Sequence, residues 1–214
     1  MKKTLKYLIV LSFLSGFAKA EFRVKLVDDG MKPVVNAVLT AQQIPGSIAS
    51  ADAMEAAIMD QIDRQFVPRV LVVNKNQPVL FPNSDQVRHH VYSFSRPNDF
   101  EIKLYSGVND TPMRFEHSGI VVLGCNIHDQ MLGYIYVSDA GQSVKTDSDG
   151  IAVFEGEPPS EIRVWHSRLS ATGTAETTKE LAVHDSEGNW LISLELTPVA
   201  EKKSSSNSFR SRFK

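Results

Sequence analysis

Cysteine is nearly absent: the 214 residues hold one, Cys125, so no internal disulfide can form and a disulfide-stapled scaffold is excluded. The same scarcity excludes a lipid anchor on an N-terminal cysteine. Past residue 20, no apolar run approaches the ~20 residues that a membrane-spanning helix needs. Positive charge is also short. Of the 23 Lys and Arg, four lie within residues 1–20, where there is no acid, so the remainder carries 19 basic and 25 acidic residues and a formal charge of −6. That balance argues against a nucleic-acid binder.

What the chain does have begins with MKKTLKYLIVLSFLSGFAKA. Lys2, Lys3 and Lys6 precede an apolar stretch from Tyr7 to Phe17, and Ala18-Lys19-Ala20 is an A-x-A cleavage signal. The reading is a signal peptide cleaved after Ala20 and a periplasmic protein with no transmembrane segment in its mature form. An uncleaved anchor is the alternative, disfavoured because the apolar stretch falls short of the ~20 residues of a span. Export gives the solitary cysteine a meaning. A free exposed thiol is an oxidation liability in an oxidising compartment, and a metal-bound thiolate escapes it.

The stretch Gly119 to Val137, GIVVLGCNIHDQMLGYIYV, sets Cys125, His128 and Met131 at Cys-x2-His-x2-Met spacing between two apolar strand-like runs. Such a loop can turn a thiolate, an imidazole and a thioether toward one ion, and soft thiolate with imidazole suits copper. A further ligand is available upstream, at His89-His90 in VRHHVYSF. Cysteine with two histidines and a weak axial methionine is the ligand set of a blue-copper electron-transfer site. Strand alternation puts Val87, His89 and Val91 on one face and Arg88, His90 and Tyr92 on the other, so His89 or, after a one-residue slip, His90 is the ligand. A two-copper centre needs a second cysteine, and zinc is disfavoured by a Met ligand. His117, His166 and His184 lack ligand spacing and read as surface or capping residues, and Trp165 reads as core.

Along the chain, FRVKLVDDGMKPVVNAVLTA (22–41) reads as a hairpin, with Val24, Leu26, Val35, Ala37 and Leu39 facing inward and Asp28-Asp29-Gly30 at the turn. Residues 43–57 read as a loop with room for a short helix around Asp52 to Ile58. From Ile58 to Asp139 come short strands about every ten residues, broken by Lys75-Asn76-Gln77-Pro78 and Pro82-Asn83-Ser84-Asp85, the text of a sandwich or Greek-key barrel. After Asp139 the segments VKTDSDGIAVFEG, EIRVWHS, TKELAVHD and NWLISLEL read as further strands. EKKSSSNSFRSRFK has almost no apolar content and reads as a disordered basic tail (199–214), able to contact an acidic partner or membrane surface.

Residues 58–139 resemble the cupredoxin family, amicyanin and plastocyanin in particular: strand, turn, Val79-Leu80-Phe81, Asn83, a His, Phe115 to Gly119, the Cys-His-Met loop and a closing strand follow in the family's order. The resemblance implies a Greek-key β-sandwich holding one type 1 copper on His89, Cys125, His128 and Met131, with His90 as the alternative to His89. The implied function is that of a non-enzymatic electron carrier between redox partners, with an electron port at the edge of His128 among Ile127, Leu132 and Met113. Two residues depart from the family's pattern. Ile127 stands where Pro often precedes the loop His, and His90 stands where an Asn usually braces the ligand loops. The loop CNIHDQM and the run HHVYSFS are similar to bacterial proteins labelled methylamine-utilisation protein.

The strands of 140–198 resemble transthyretin-like domains found behind carboxypeptidases, and Val27-Asp28-Asp29-Gly30 through Pro33 and Asn36-Ala37 is similar to how such domains begin. This implies that residues 21–45 pair with 140–198 in a second small β-sandwich; the other reading makes them extra strands of the copper domain. Two further functions stand beside electron transfer. One is copper delivery without redox turnover, and the other is a structural or carbohydrate-binding module.

Overall fold

The computed structural model describes residues 20–41, 54–108, 111–139 and 141–198. The leader 1–19, the start of the expected short helix and the tail 199–214 lie outside the described residues. Among those described there are seventeen strands and no helix, and none is a helix long and apolar enough to cross a membrane. In chain order they are β1 (Glu21–Asp28), β2 (Val38–Ala41), β3 (Ala57–Ile58), β4 (Asp60–Ile62), β5 (Gln65–Val67), β6 (Val70–Asn74), β7 (Pro78–Leu80), β8 (His89–Ser93), β9 (Phe100–Tyr105) and β10 (Met113–Arg114). Then follow β11 (Gly119–Gly124), β12 (Leu132–Ser138), β13 (Gln142–Lys145), β14 (Ile151–Glu155), β15 (Glu161–Trp165), β16 (Glu176–Glu180) and β17 (Trp190–Leu194). The all-β architecture expected from the strand and turn pattern is what is seen.

One set of ladders contains only the first two strands and the last five. β14, β1 and β17 form one sheet, and β13, β2, β15 and β16 form another. Alternation in β1 turns Phe22, Val24 and Leu26 inward, against Ala37 and Leu39 of the β2 segment, Phe154 of β14 and Ile162 and Val164 of β15. The rings of Phe22 and Phe154 stack at 4.9 Å. The hairpin expected over 22–41 is limited to the antiparallel bridge Val27↔Pro33 beside the turn, because β1 and β2 lie in different sheets. An inward-facing alternation specifies which face of a strand is buried and leaves its partner open. The Asp28 carboxylate accepts the N–H groups of Gly30 and Lys32, making the turn, and the chain then crosses the core. Val34 is buried on that crossing while Val35, expected inward, is exposed.

The second set contains the middle of the chain. A five-stranded sheet runs β6-β12-β11-β8-β9, faced by β10-β7-β3 and the hairpin β4-β5. Between them lie Phe66, Val79, Phe81, Val91, Val121, Leu123, Ile135 and Val137, with Cys125 and Met131 in the same buried cluster. Met54 to Ile58, the described part of the segment expected to be helical, is irregular and ends as β3, which pairs in parallel with β7.

β12 is buried along both faces. Ile135 and Val137 enter the core just described, while Tyr134 and Tyr136 point the other way, onto Trp165 and Val38 of the flanking strands. This is why LGYIYV reads as a near-continuous apolar run rather than an alternating one. Trp165 is fully buried, its ring 5.3 Å from that of Tyr134, and its indole N–H donates to the Gly173 carbonyl. Truncating a side chain so enclosed typically costs about 3–5 kcal/mol. Polar ties flank it. The Tyr136 hydroxyl donates to Glu176 at 2.6 Å, and Arg163 donates to Asp139.

His166, next to Trp165, is buried rather than at the surface. Its Nδ1 accepts the Arg168 N–H. Burial, helped by the nearby Arg168 guanidinium, pushes its pKa down from 6.5 to about 4. The neutral form is therefore favoured by folding, and this contribution is complete above pH 6.5 and lost as the pH falls toward 4. Thermal unfolding followed across that window is expected to show a smaller loss of stability in His166→Gln than in the wild type; parallel curves would contradict the assignment.

Candidate metal centre

The site is built by three strands. β11 and β12 pair antiparallel from Gly119↔Val137 to Gly124↔Leu132, and that last pair closes a loop of residues 125–131 with Cys125 at one foot and Met131 at the other. Two successive turns stiffen the loop: the His128 N–H donates to the Cys125 carbonyl at 3.3 Å, and the Met131 N–H to the His128 carbonyl at 2.8 Å. Both sulfur residues are buried and His128 is half-buried.

β8 lies on the other side of β11, with Gly124 opposite Tyr92. Continuing this antiparallel register places Cys125 opposite Val91, on the face that His89 shares two residues away. His90 falls on the other face with Tyr92, and its Nε2 is 2.9 Å from a Glu101 carboxylate oxygen. A Cβ at Gly124 would lie 2.7 Å from the Tyr92 ring, so the tyrosine keeps its place across this strand because position 124 has no side chain.

The imidazoles of His89 and His128 converge on the thiol. Nδ1 of His89 is 3.7 Å from Cys125 Sγ and Nδ1 of His128 is 3.9 Å from it, and the three donor atoms lie within 4.8 Å of one another. These separations can be tested against a bound ion. With a metal–thiolate bond of about 2.3 Å and a metal–imidazole bond of about 2.0 Å, donors 120° apart sit about 3.7 Å from each other, and tetrahedral donors sit about 3.5 Å apart. The observed sulfur–nitrogen spacing is of the size that one ion shared by the three donors requires. The soft donor set is consistent with copper.

Behind His89 is a carboxylate. Its Nε2 is 2.9 Å from Asp85 Oδ2, and that oxygen also accepts the Arg64 N–H at 2.8 Å while Oδ1 accepts the Gln86 N–H at 2.9 Å. The hydrogen bond from His89, then that from Arg64, holds the Asp85 carboxyl below the usual range. Asn83, also buried, braces the segment from below. Its amide donates to the carbonyls of Val87 and Tyr105, each at 2.9 Å, and its oxygen accepts the Asp85 N–H at 3.0 Å. Tyr105 in turn donates to the Phe81 carbonyl and receives the Gln61 amide, and burial pushes its pKa up to about 12.

His89, Cys125 and His128 thus come together, and Met131 lies in the same buried cluster as Cys125. Ile127 and Leu132 are exposed beside His128, but Met113 lines a different cleft with Phe100, Phe115 and His117. β10, which carries it, pairs with β7 in the facing sheet, Met113 opposite Val79. His128 itself lines a cleft of about 630 Å³ with Asp63, Arg64, Phe66, Arg69 and Leu132. His117 and His184 are exposed, the latter against the Trp190 ring. Sequence reasoning gave Asp85 no role beyond a turn and Asn83 only its place in the order of parts. The signal that could have found Asp85 is an acid four residues before a candidate ligand His, since ligand imidazoles commonly give their second nitrogen to a carboxylate.

Neither a protein-family model nor a curated protein matches the chain. Among solved structures it is similar to a purple cupredoxin from Nitrosopumilus maritimus, 19% identical with a TM-score of 0.34, over 39% of this chain and 98% of that one. It is also similar to a reduced Cu(I) form of an amicyanin variant, 18% identical with a TM-score of 0.36, over 48% of this chain and 99% of the other. A third is the Cu-containing nitrite reductase NirK from Thermus scotoductus SA-01, 22% identical with a TM-score of 0.38, over 46% of this chain. The chain spans 25% of that reductase's length.

Replacing Asn83 by Ala removes three part-buried hydrogen bonds to backbone and should cost about 2–3 kcal/mol in denaturant unfolding. A change below about 0.5 kcal/mol, the range of ordinary surface substitutions, would show that Asn83 does not brace the segment.

Proposed function

We propose that this chain is a periplasmic electron-transfer protein with one type 1 copper site that His89, Cys125, His128 and Met131 would hold. The observation that carries this reading is the approach of two imidazole nitrogens to 3.7 and 3.9 Å from one buried thiol. When bound there, copper would supply a one-electron couple between Cu(I) and Cu(II). The residues supply the rest. Cys125 would contribute the thiolate, His89 and His128 the two imidazole nitrogens, and Met131 a weakly donating thioether sulfur. Loop turns and the Asn83 network hold the donors in place, so little has to move when the charge changes. Burial of His89, Cys125 and Met131 keeps water away from the ion, while half-exposed His128 opens toward the cleft and serves as the port for electrons exchanged with donor and acceptor proteins.

The register with β11 supports His89 over His90, whose ring bonds Glu101 on the opposite face.

Loading the mature protein with Cu(II) without oxygen is expected to give an intense thiolate-to-copper band toward the red end of the visible spectrum, absent in Cys125→Ser. A colourless protein that binds only Cu(I) would point instead to copper delivery, and no uptake would overturn the metal reading altogether. In the same assay His89→Ala is expected to lose the band with the fold retained by circular dichroism, and His90→Ala to keep it. The opposite pair of results would exchange the two histidines.

A further inference from the structure

We propose that Asp85 is a positioning residue of this centre: it fixes the tautomer and orientation of His89 and biases the site toward the more highly charged ion. The inference rests on the copper reading above.

The chemistry follows from burial and from what each atom can do. His89 is fully buried, so water cannot serve its ring, and its two nitrogens have one neighbour each: Asp85 Oδ2 at 2.9 Å from Nε2 and Cys125 Sγ at 3.7 Å from Nδ1. An ionised carboxylate only accepts. Nε2 must therefore carry the proton, and in the neutral imidazole Nδ1, 3.7 Å from the Cys125 sulfur, then keeps the lone pair that would bind an ion together with the thiolate.

The carboxylate is itself held on several sides. Arg64 and Gln86 donate backbone N–H groups to it, and its own N–H is tied to Asn83. The Arg64 N–H reaches it because Asp63 and Arg64, at φ of 51° and 58°, form a tight left-handed turn at the tip of β4-β5. A second tie runs beside it, from Ser84 to the Asp60 carboxylate at 2.7 Å. The hairpin tip that helps to line the His128 cleft is thereby joined to His89 through one side chain. His128 has no matching carboxylate among the described contacts, so the two imidazoles are unequal: one is locked and charge-assisted, and the other faces the cleft.

A fixed negative charge hydrogen-bonded to a ligand imidazole makes that imidazole a stronger donor, and a stronger donor favours Cu(II) over Cu(I). Asp85→Asn preserves the shape and removes the charge. The expected result is about a tenfold fall in the ratio of Cu(II) to Cu(I) affinity, the lower end of what loss of such partners costs. For a one-electron couple that is a rise of about 59 mV in reduction potential.

The experiment is redox titration of copper-loaded wild type, Asp85→Asn and Ser84→Ala, with thermal unfolding of each. The proposal expects Asp85→Asn to raise the potential and Ser84→Ala, which loosens the same segment but leaves the carboxylate, to lower stability with the potential unchanged. An unaltered potential in Asp85→Asn, or an equal rise in both variants, would overturn it while leaving the copper reading intact. A wild type that takes up no copper would overturn both.

Discussion

The antiparallel pairing of β11 with β12 is the constraint on which the rest depends. Its last pair, Gly124↔Leu132, sets the separation of Cys125 and Met131 and forces the intervening residues into two tight turns that lift His128 toward the thiol. The same β11 pairs on its other edge with β8, and the register there decides which histidine meets the cysteine. A slip of one residue in either ladder would turn the thiol or the imidazole to the opposite face. Register is protected on both counts by packing: Val91, Leu123 and Ile135 fill the core on one face, while Tyr92 lies against the bare backbone of Gly124 on the other.

The flanking strands contribute by covering β12. A strand whose outer face carries Tyr134 and Tyr136 would expose a large apolar patch if it stood alone. Here Trp165 and Val38 lie on that patch, and the Tyr136 hydroxyl at its edge is bonded to Thr40 and Glu176. The strand that begins just after Met131 is therefore clamped from both sides. The site's rigidity comes in part from residues far away in sequence.

The elements themselves were legible because period-two alternation and turn residues mark strands locally, as in FRVKL and IAVFE. Pairing was less so: residues 22–41 have the text of a hairpin, yet β1 and β2 go to separate sheets, since alternation records a buried face and not a neighbour. The short segment before Ile58 has good helix formers, and pairing of Ala57 and Ile58 with β7 overrode that propensity. At the site, Cys125, His128 and Met131 were readable because they share one loop, and His89 because parity leaves two candidates. Asp85 and Asn83 hid in plain turn chemistry, where Asp and Asn are ordinary residues; their role needs the fold to bring them under the imidazole. Met113 shows the converse error, a plausible neighbour in the chain's order that the facing sheet carries elsewhere.

The central claim is that His89, Cys125 and His128 hold a single ion at once. Copper K-edge absorption fine structure of the loaded protein measures it most directly. The account predicts one short sulfur scatterer and two imidazole nitrogens in the first shell of copper; a shell of nitrogen and oxygen alone, with no short sulfur, would contradict it.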